Sequence, residues 1–81
     1  MDLIIFLKDG TQYEIRAYRL KECGIRQQGF FIESYKEGRI EFPLDSLIGF
    51  KIDRSKDRAT VHEWDSVILN SALTILSKYL T

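Results

Sequence analysis

The stretch 66–80 constrains this chain more than any other. At 100° per residue, Ile75, Ile68, Tyr79, Ala72, Leu76, Leu69, Leu80 and Leu73 fall consecutively on one arc of about 160°, which predicts an amphipathic helix. Asp65 or Ser66 is placed to accept the first N–H bonds, and Lys78 sits where the helix dipole favours a cation. An apolar arc needs only about 100° to lie on one sheet, so part of this one is expected to meet a second surface. The opposite face holds Asn70, Ser71, Thr74, Ser77 and a single charge at Lys78, small side chains that tolerate close approach. Each Leu or Ile fully buried contributes about 1.5–3 kcal/mol as an upper bound. Removing the helix is therefore expected to unfold the domain.

With 81 residues the chain makes one domain, 1–81, strand-rich over 3–64 and closed by the helix. A chain of this size buries only roughly 60% of its unfolded surface, so its core is small. Twelve basic residues balance twelve acidic ones, which excludes a generic polyanion-binding tail, and the apolar content is too high for disorder. The lone Cys23 excludes an internal disulfide framework and suits a reducing, cytoplasmic setting. The segment Met1-Asp2-Leu3-Ile4-Ile5-Phe6-Leu7 has an acid where a signal peptide needs a base and is too short for a membrane span.

Along the chain, residues 3–7 read as a strand and Asp9-Gly10 as a tight turn into an alternating strand over 11–18. Residues 19–29 have no period and two glycines, and read as the longest loop. Strands follow over 30–35 and 40–42, joined by Lys36-Glu37-Gly38-Arg39, and Pro43 ends the second because it cannot donate to a ladder. Residues 44–47 read as a short helical turn or corner, and strands are expected over 48–53 and 59–64. Thr60-Val61-His62-Glu63 also has the spacing of a capping box, which would start the helix earlier, but would then set Asp65 on its apolar arc.

The predicted fold is α+β: an antiparallel sheet of five or six strands, strongly bent or barrel-like, against one C-terminal helix. One helix cannot cover all of its apolar surface. Residues 3–7 are apolar on both faces, and Phe30 and Ile32 face one way while Phe31 and Tyr35 face the other. Barrel closure or a face-to-face dimer would cover the second face. The order of an Asp-Gly hairpin, a long second loop, a glycine turn and Pro43-Leu44-Asp45-Ser46 before a last apolar strand resembles small SH3-like and Sm-like barrels. That resemblance implies a closed, bent sheet. The helix lies at the opposite end of the chain from that of Sm-like proteins, and no functional residue carries over.

No catalytic signature stands out. Cys23, His62 and Asp65 are the residue types of a thiol triad without its local sequence, and one Cys with one His falls short of a zinc site, so neither catalytic residues, metal nor cofactor are expected. Glu33 and Glu41 are candidates for a cross-strand carboxylate pair, but basic neighbours are the more natural partners for both. The five glycines match no phosphate-binding loop.

The expectation is a non-enzymatic protein-interaction module that pairs with itself and with another protein. An assembly subunit, a regulator, or an inhibitor of the kind bacteria and their phages encode would all fit. Tyr18, Phe31 and Tyr35, with Arg16, Arg19 and Arg26 around them, are the expected contact residues, because aromatics and arginine dominate interface hot spots. The alternative is a single-stranded nucleic-acid binder, in which the basic loops 16–28 and 51–58, with net charges of about +3 and +2, hold phosphates while aromatics stack bases.

Overall fold

A computed structural model describes residues 2–54 and 67–80, and these form six strands, two 3-10 turns and one helix. Strands β1 (Asp2–Leu7) and β2 (Gln12–Arg16) make the expected hairpin. Gly10 supplies the positive φ of 90° that the turn requires, and its N–H donates to the Leu7 carbonyl at 3.0 Å. The Thr11 hydroxyl and, at 2.8 Å, the Thr11 N–H both donate to the Asp9 carboxylate, which holds Asp9 below the usual carboxylate range.

A 3-10 turn at Ala17–Arg19 carries the chain out of this sheet into β3 (Leu20–Arg26), β4 (Gly29–Ser34) and β5 (Gly38–Pro43). A second 3-10 turn at Leu44–Ser46 returns it to β6 (Leu47–Asp53), which pairs with β1. The result is two antiparallel sheets of three strands, in the orders β2-β1-β6 and β3-β4-β5.

Two expectations need correction. Residues 19–29 are not a long loop, because most of them are β3. Its alternation is hidden by a register shift between Leu20 and Glu22 and by Gly24, yet Cys23 and Ile25 turn inward opposite Ile32 and Phe30. Nor is there one bent sheet closing into a barrel. Among the described residues no backbone ladder joins the two sheets, since each corner is a 3-10 turn whose residues leave the ladder. The strand expected over 59–64, with its capping-box alternative, lies outside the described residues.

The inner faces meet in one core of Leu3, Ile5 and Ile15 against Phe30, Ile32 and Phe42, with Ala17, Leu20 and Leu47 filling the corners. Helix α1 (Val67–Tyr79) seats Leu69, Ala72 and Leu76 in the same core and rests on β3, where the Cys23 thiol donates to the Ile68 carbonyl at 3.6 Å. The wide arc is thus a deep line of three residues flanked by half-buried Ile68, Leu73, Ile75 and Leu80.

Side chains seal the side of the sandwich where β2 approaches β5. The Tyr13 ring meets Phe42 edge-on at 5.5 Å, and its hydroxyl donates to Glu37 at 2.6 Å across the gap between the sheets. Burial, then the hydrogen bond and charge of Glu37, push the Tyr13 phenol well above its ordinary value. Because the folded state favours the protonated phenol, this contribution is intact below the unfolded tyrosine pKa of about 10 and is lost as pH rises beyond it. In an alkaline absorbance titration, Tyr13→Phe is expected to remove a tyrosinate step that otherwise appears only with unfolding, and to flatten the loss of stability at high pH. Ionisation of Tyr13 well before unfolding would show that the clasp is open in solution.

The outer faces hide aromatics by a repeated device. Phe31 lies over Gly24 of β3, where a Cβ would stand 3.0 Å from the ring, and the Arg39 guanidinium covers it at 4.4 Å. Phe6 lies over Gly49 of β6, at 3.7 Å by the same measure, with the Lys51 ammonium 5.9 Å from its centroid. An aromatic laid across a strand glycine recovers the packing that the glycine lacks, and the cation adds attraction to the ring face. Phe31 is only 9% exposed as a result.

Candidate functional site

The expected contact residues do not form one patch. Arg16 turns to β1, where its Nε lies 3.2 Å from Asp2 Oδ1, close enough for charge attraction although the pair is not aligned as a hydrogen bond. Phe31 is covered by Arg39. Arg26 stands exposed at the far end of β3, about 20 Å from Leu20 at the rise of a strand. Tyr18 and Arg19 belong to the first 3-10 turn, and Tyr35 joins them, its N–H donating to the Arg19 carbonyl at 2.9 Å.

Tyr35 is therefore the centre of what remains. It is 74% exposed, the most exposed of the large apolar and aromatic residues described. The turn that presents it is fixed from three sides. Gly38 takes a φ of 76°, Glu37 N–H donates to the buried Ser34 hydroxyl at 2.8 Å, and Glu37 is tied to Tyr13. Lys21, the extra residue of the β3 bulge, reaches to 5.9 Å from the Tyr35 ring, and Lys36 follows it at the hairpin tip.

The acids near this corner are already engaged. Glu33 sits between Lys21 at 3.7 Å and Arg39 at 3.5 Å, and Arg39 also reaches Glu22 at 3.9 Å. The suggested pairing of Glu33 with Glu41 does not form. Register sets Glu33 opposite Arg39 and Glu41 opposite Phe31. Lys36 and Arg39 were missed as candidate residues, and Lys21 was placed only in the basic stretch 16–28 of the nucleic-acid alternative. Lys36 was legible as the turn residue next to the aromatic that ends the strand, whereas Lys21 and Arg39 reach Tyr35 and Phe31 only through strand register.

The basic stretches are also not the loops they seemed. Residues 16–28 run through a turn and β3, with Arg16 and Lys21 held by carboxylates, and residues 51–53 are in β6. Residues 55–58 lie outside the described residues. Paired cations present a weaker field to a phosphate chain than their number suggests.

Two grooves are notable. One runs along the outward side of α1, beside Val67, Asn70, Ser71, Thr74 and Ile75. The other occupies the end of the β3-β4-β5 sheet away from Tyr35, in two adjoining hollows of about 370 and 410 Å³ that share Gln28 and Pro43. Arg26, Glu41 and Phe42 line the first hollow and Leu44 and Asp45 the second. Each lies at the low end of the range of small-molecule sites and is large enough for a side chain. Next to them Gln27 holds a φ of 57°, which a residue with a Cβ adopts at a cost.

Little here points to chemistry. Burial, with the Glu22 charge behind it, raises the Cys23 thiol above its ordinary value and works against the thiolate that a nucleophile needs, while His62 and Asp65 lie outside the described residues. Among the described residues no three His, Cys, Asp or Glu side chains gather to hold a metal, and no helix is long and apolar enough to cross a membrane. No protein-family model, curated protein or solved structure matches the chain.

Proposed function

We propose that the chain is a small, non-enzymatic protein-binding module that self-associates and acts as an assembly subunit, regulator or inhibitor in a reducing, cytoplasmic setting. The observation that carries this reading is Tyr35: a large aromatic held out in solvent on a turn that is tied back to Arg19, Ser34 and Tyr13 by hydrogen bonds. A fold gains nothing from such an exposed ring, and a pre-ordered aromatic loses little freedom when a partner covers it. Lys21 beside it is held by its ion pair with Glu33 on the same sheet, which orders that flank of the exposed ring.

Native mass spectrometry on protein drawn gently from its own host, at low salt and without nuclease, tests the reading. Whole multiples of the 9.5 kDa chain, or the chain with another protein, are expected. Co-purifying nucleic acid that moderate salt strips away would replace it with the single-stranded nucleic-acid reading, in which Tyr35 stacks a base and Lys21 and Lys36 meet phosphates. The free chain alone would also overturn it.

A further inference from the structure

We propose that copies of this chain associate head to tail, the Tyr35 knob of one entering the Gln28–Pro43 groove of the next. This deepens the self-association reading above and rests on it.

Knob and groove lie at opposite ends of the β4–β5 hairpin. Ser34 pairs with Gly38 beside the knob and Gly29 with Pro43 beside the groove, five residues further on, which is about 17 Å at roughly 3.4 Å per residue. No copy can fill its own groove. The two ends also differ in charge. Lys36, exposed and with no ion pair among the described residues, flanks the knob beside Lys21, which is paired with Glu33, whereas Asp45 and Glu41 flank the groove, exposed and with no carboxylate–cation pair formed by either among the described residues. Arg26 is the cation at the groove's rim and lies on the side of Glu41. The second hollow, between Gln28, Pro43, Leu44 and Asp45, is apolar on its Pro43 and Leu44 walls and acidic at Asp45, which suits a phenol ring followed by a lysine.

An interface of this kind is heterologous, because each head-to-tail contact uses the knob end of one copy and the groove end of the next and is not reciprocated within the pair. It therefore leaves one knob and one groove free at the ends of every open chain of copies, and growth stops only if the rotation closes a ring. The contact is small, centred on one aromatic, so association is concentration-dependent.

Sedimentation velocity up to millimolar chain, on wild type, Tyr35→Ala and Asp45→Lys, tests the proposal. Wild type is expected to form a series extending past the dimer or a closed ring. Each variant is expected to lose about 30-fold in association while keeping its melting temperature, since both residues are exposed. The deciding sample is the equimolar mixture of the two variants. Asp45→Lys still has a knob and Tyr35→Ala still has a groove, so the mixture is expected to give a one-to-one dimer and nothing larger. Lys36→Glu combined with Asp45→Lys in one chain is expected to recover part of the lost association, as the charge pair is restored in reverse.

A wild-type chain that stays monomeric throughout overturns head-to-tail docking, and if it still captures another protein the module reading survives. A wild type that associates while the mixture remains monomeric also overturns it, because an interface of like surfaces cannot be complemented in this way.

Discussion

Replacing Leu76 by alanine is expected to destabilise the chain by about 2–5 kcal/mol, the range for emptying a fully buried leucine site. Leu76 is 1% exposed and lies in the same core as Leu3, Ile5 and Phe30, so the cavity would open at the centre of the molecule, not under a loose flap. A domain of this length has on the order of 4–12 kcal/mol to lose, so the midpoint of thermal unfolding should fall by roughly 10–30 °C. Thr74→Ala is the matched control. Thr74 is exposed and its hydroxyl donates to the Asn70 carbonyl one turn back, and its loss should shift stability by about 0.5 kcal/mol or less. A chain shortened to end before Val67 would lose Leu69, Ala72 and Leu76 together and is expected to show no cooperative transition. Equal, small effects of Leu76→Ala and Thr74→Ala would mean that α1 is not docked in solution.

That helix was legible because its signal is local: eight apolar residues at one angular period need no knowledge of the rest of the chain. The Asp9-Gly10 hairpin and the stop at Pro43 were legible for the same reason, each resting on a backbone property of one or two residues. β3 was not. Lys21-Glu22-Cys23-Gly24 reads as loop because a bulge at Lys21 breaks the alternation and Gly24 has no side chain to contribute to it. What makes the segment a strand is the ladder with β4, a tertiary fact. The pairing of β6 with β1 was equally hidden, since it joins residues forty or more positions apart and nothing in either strand names its partner.

The candidate site divides along the same line. Tyr35 was visible as an outward-facing aromatic at the end of the strand read over 30–35; it stands one residue past β4, in the turn, and is exposed. Phe31 has the same strand parity and seemed equivalent, yet its environment is made by Gly24 and Arg39, one from each neighbouring strand. The two aromatics have opposite fates for reasons that only register supplies. The groove that faces the other way, at Gln28, Pro43 and Asp45, has no sequence signal, because it exists only where the β3–β4 turn meets the corner after β5. The Leu44 N–H donates to the Gln28 carbonyl at 2.9 Å to close that junction.

Phe31 and Gly24 should behave as one unit, and the sign of a mutation at Gly24 should depend on what stands at 31. In the native chain Gly24→Val is expected to cost about 1–3 kcal/mol, because even its Cβ would stand 3.0 Å from a ring that Arg39 presses from above. Phe31→Ala should cost about 2–3 kcal/mol through lost apolar burial and the lost cation contact. With alanine at 31 the space over Gly24 is open. Valine there then removes the backbone entropy cost of a strand glycine and adds β-propensity, so it should stabilise by about 0.5–1 kcal/mol. The cycle of both single changes and the double, followed by denaturant unfolding, should therefore give a coupling of roughly 1.5–4 kcal/mol, with the second substitution reversing sign. Additive effects would mean that the ring does not rest on Gly24. If Phe31→Ala left stability unchanged while abolishing association, Phe31 would be a contact residue after all and Arg39 a cover that swings aside. A stability loss with association intact would place the contact on Tyr35 and leave Phe31 as the support beneath the ion pairs that position Lys21 beside it.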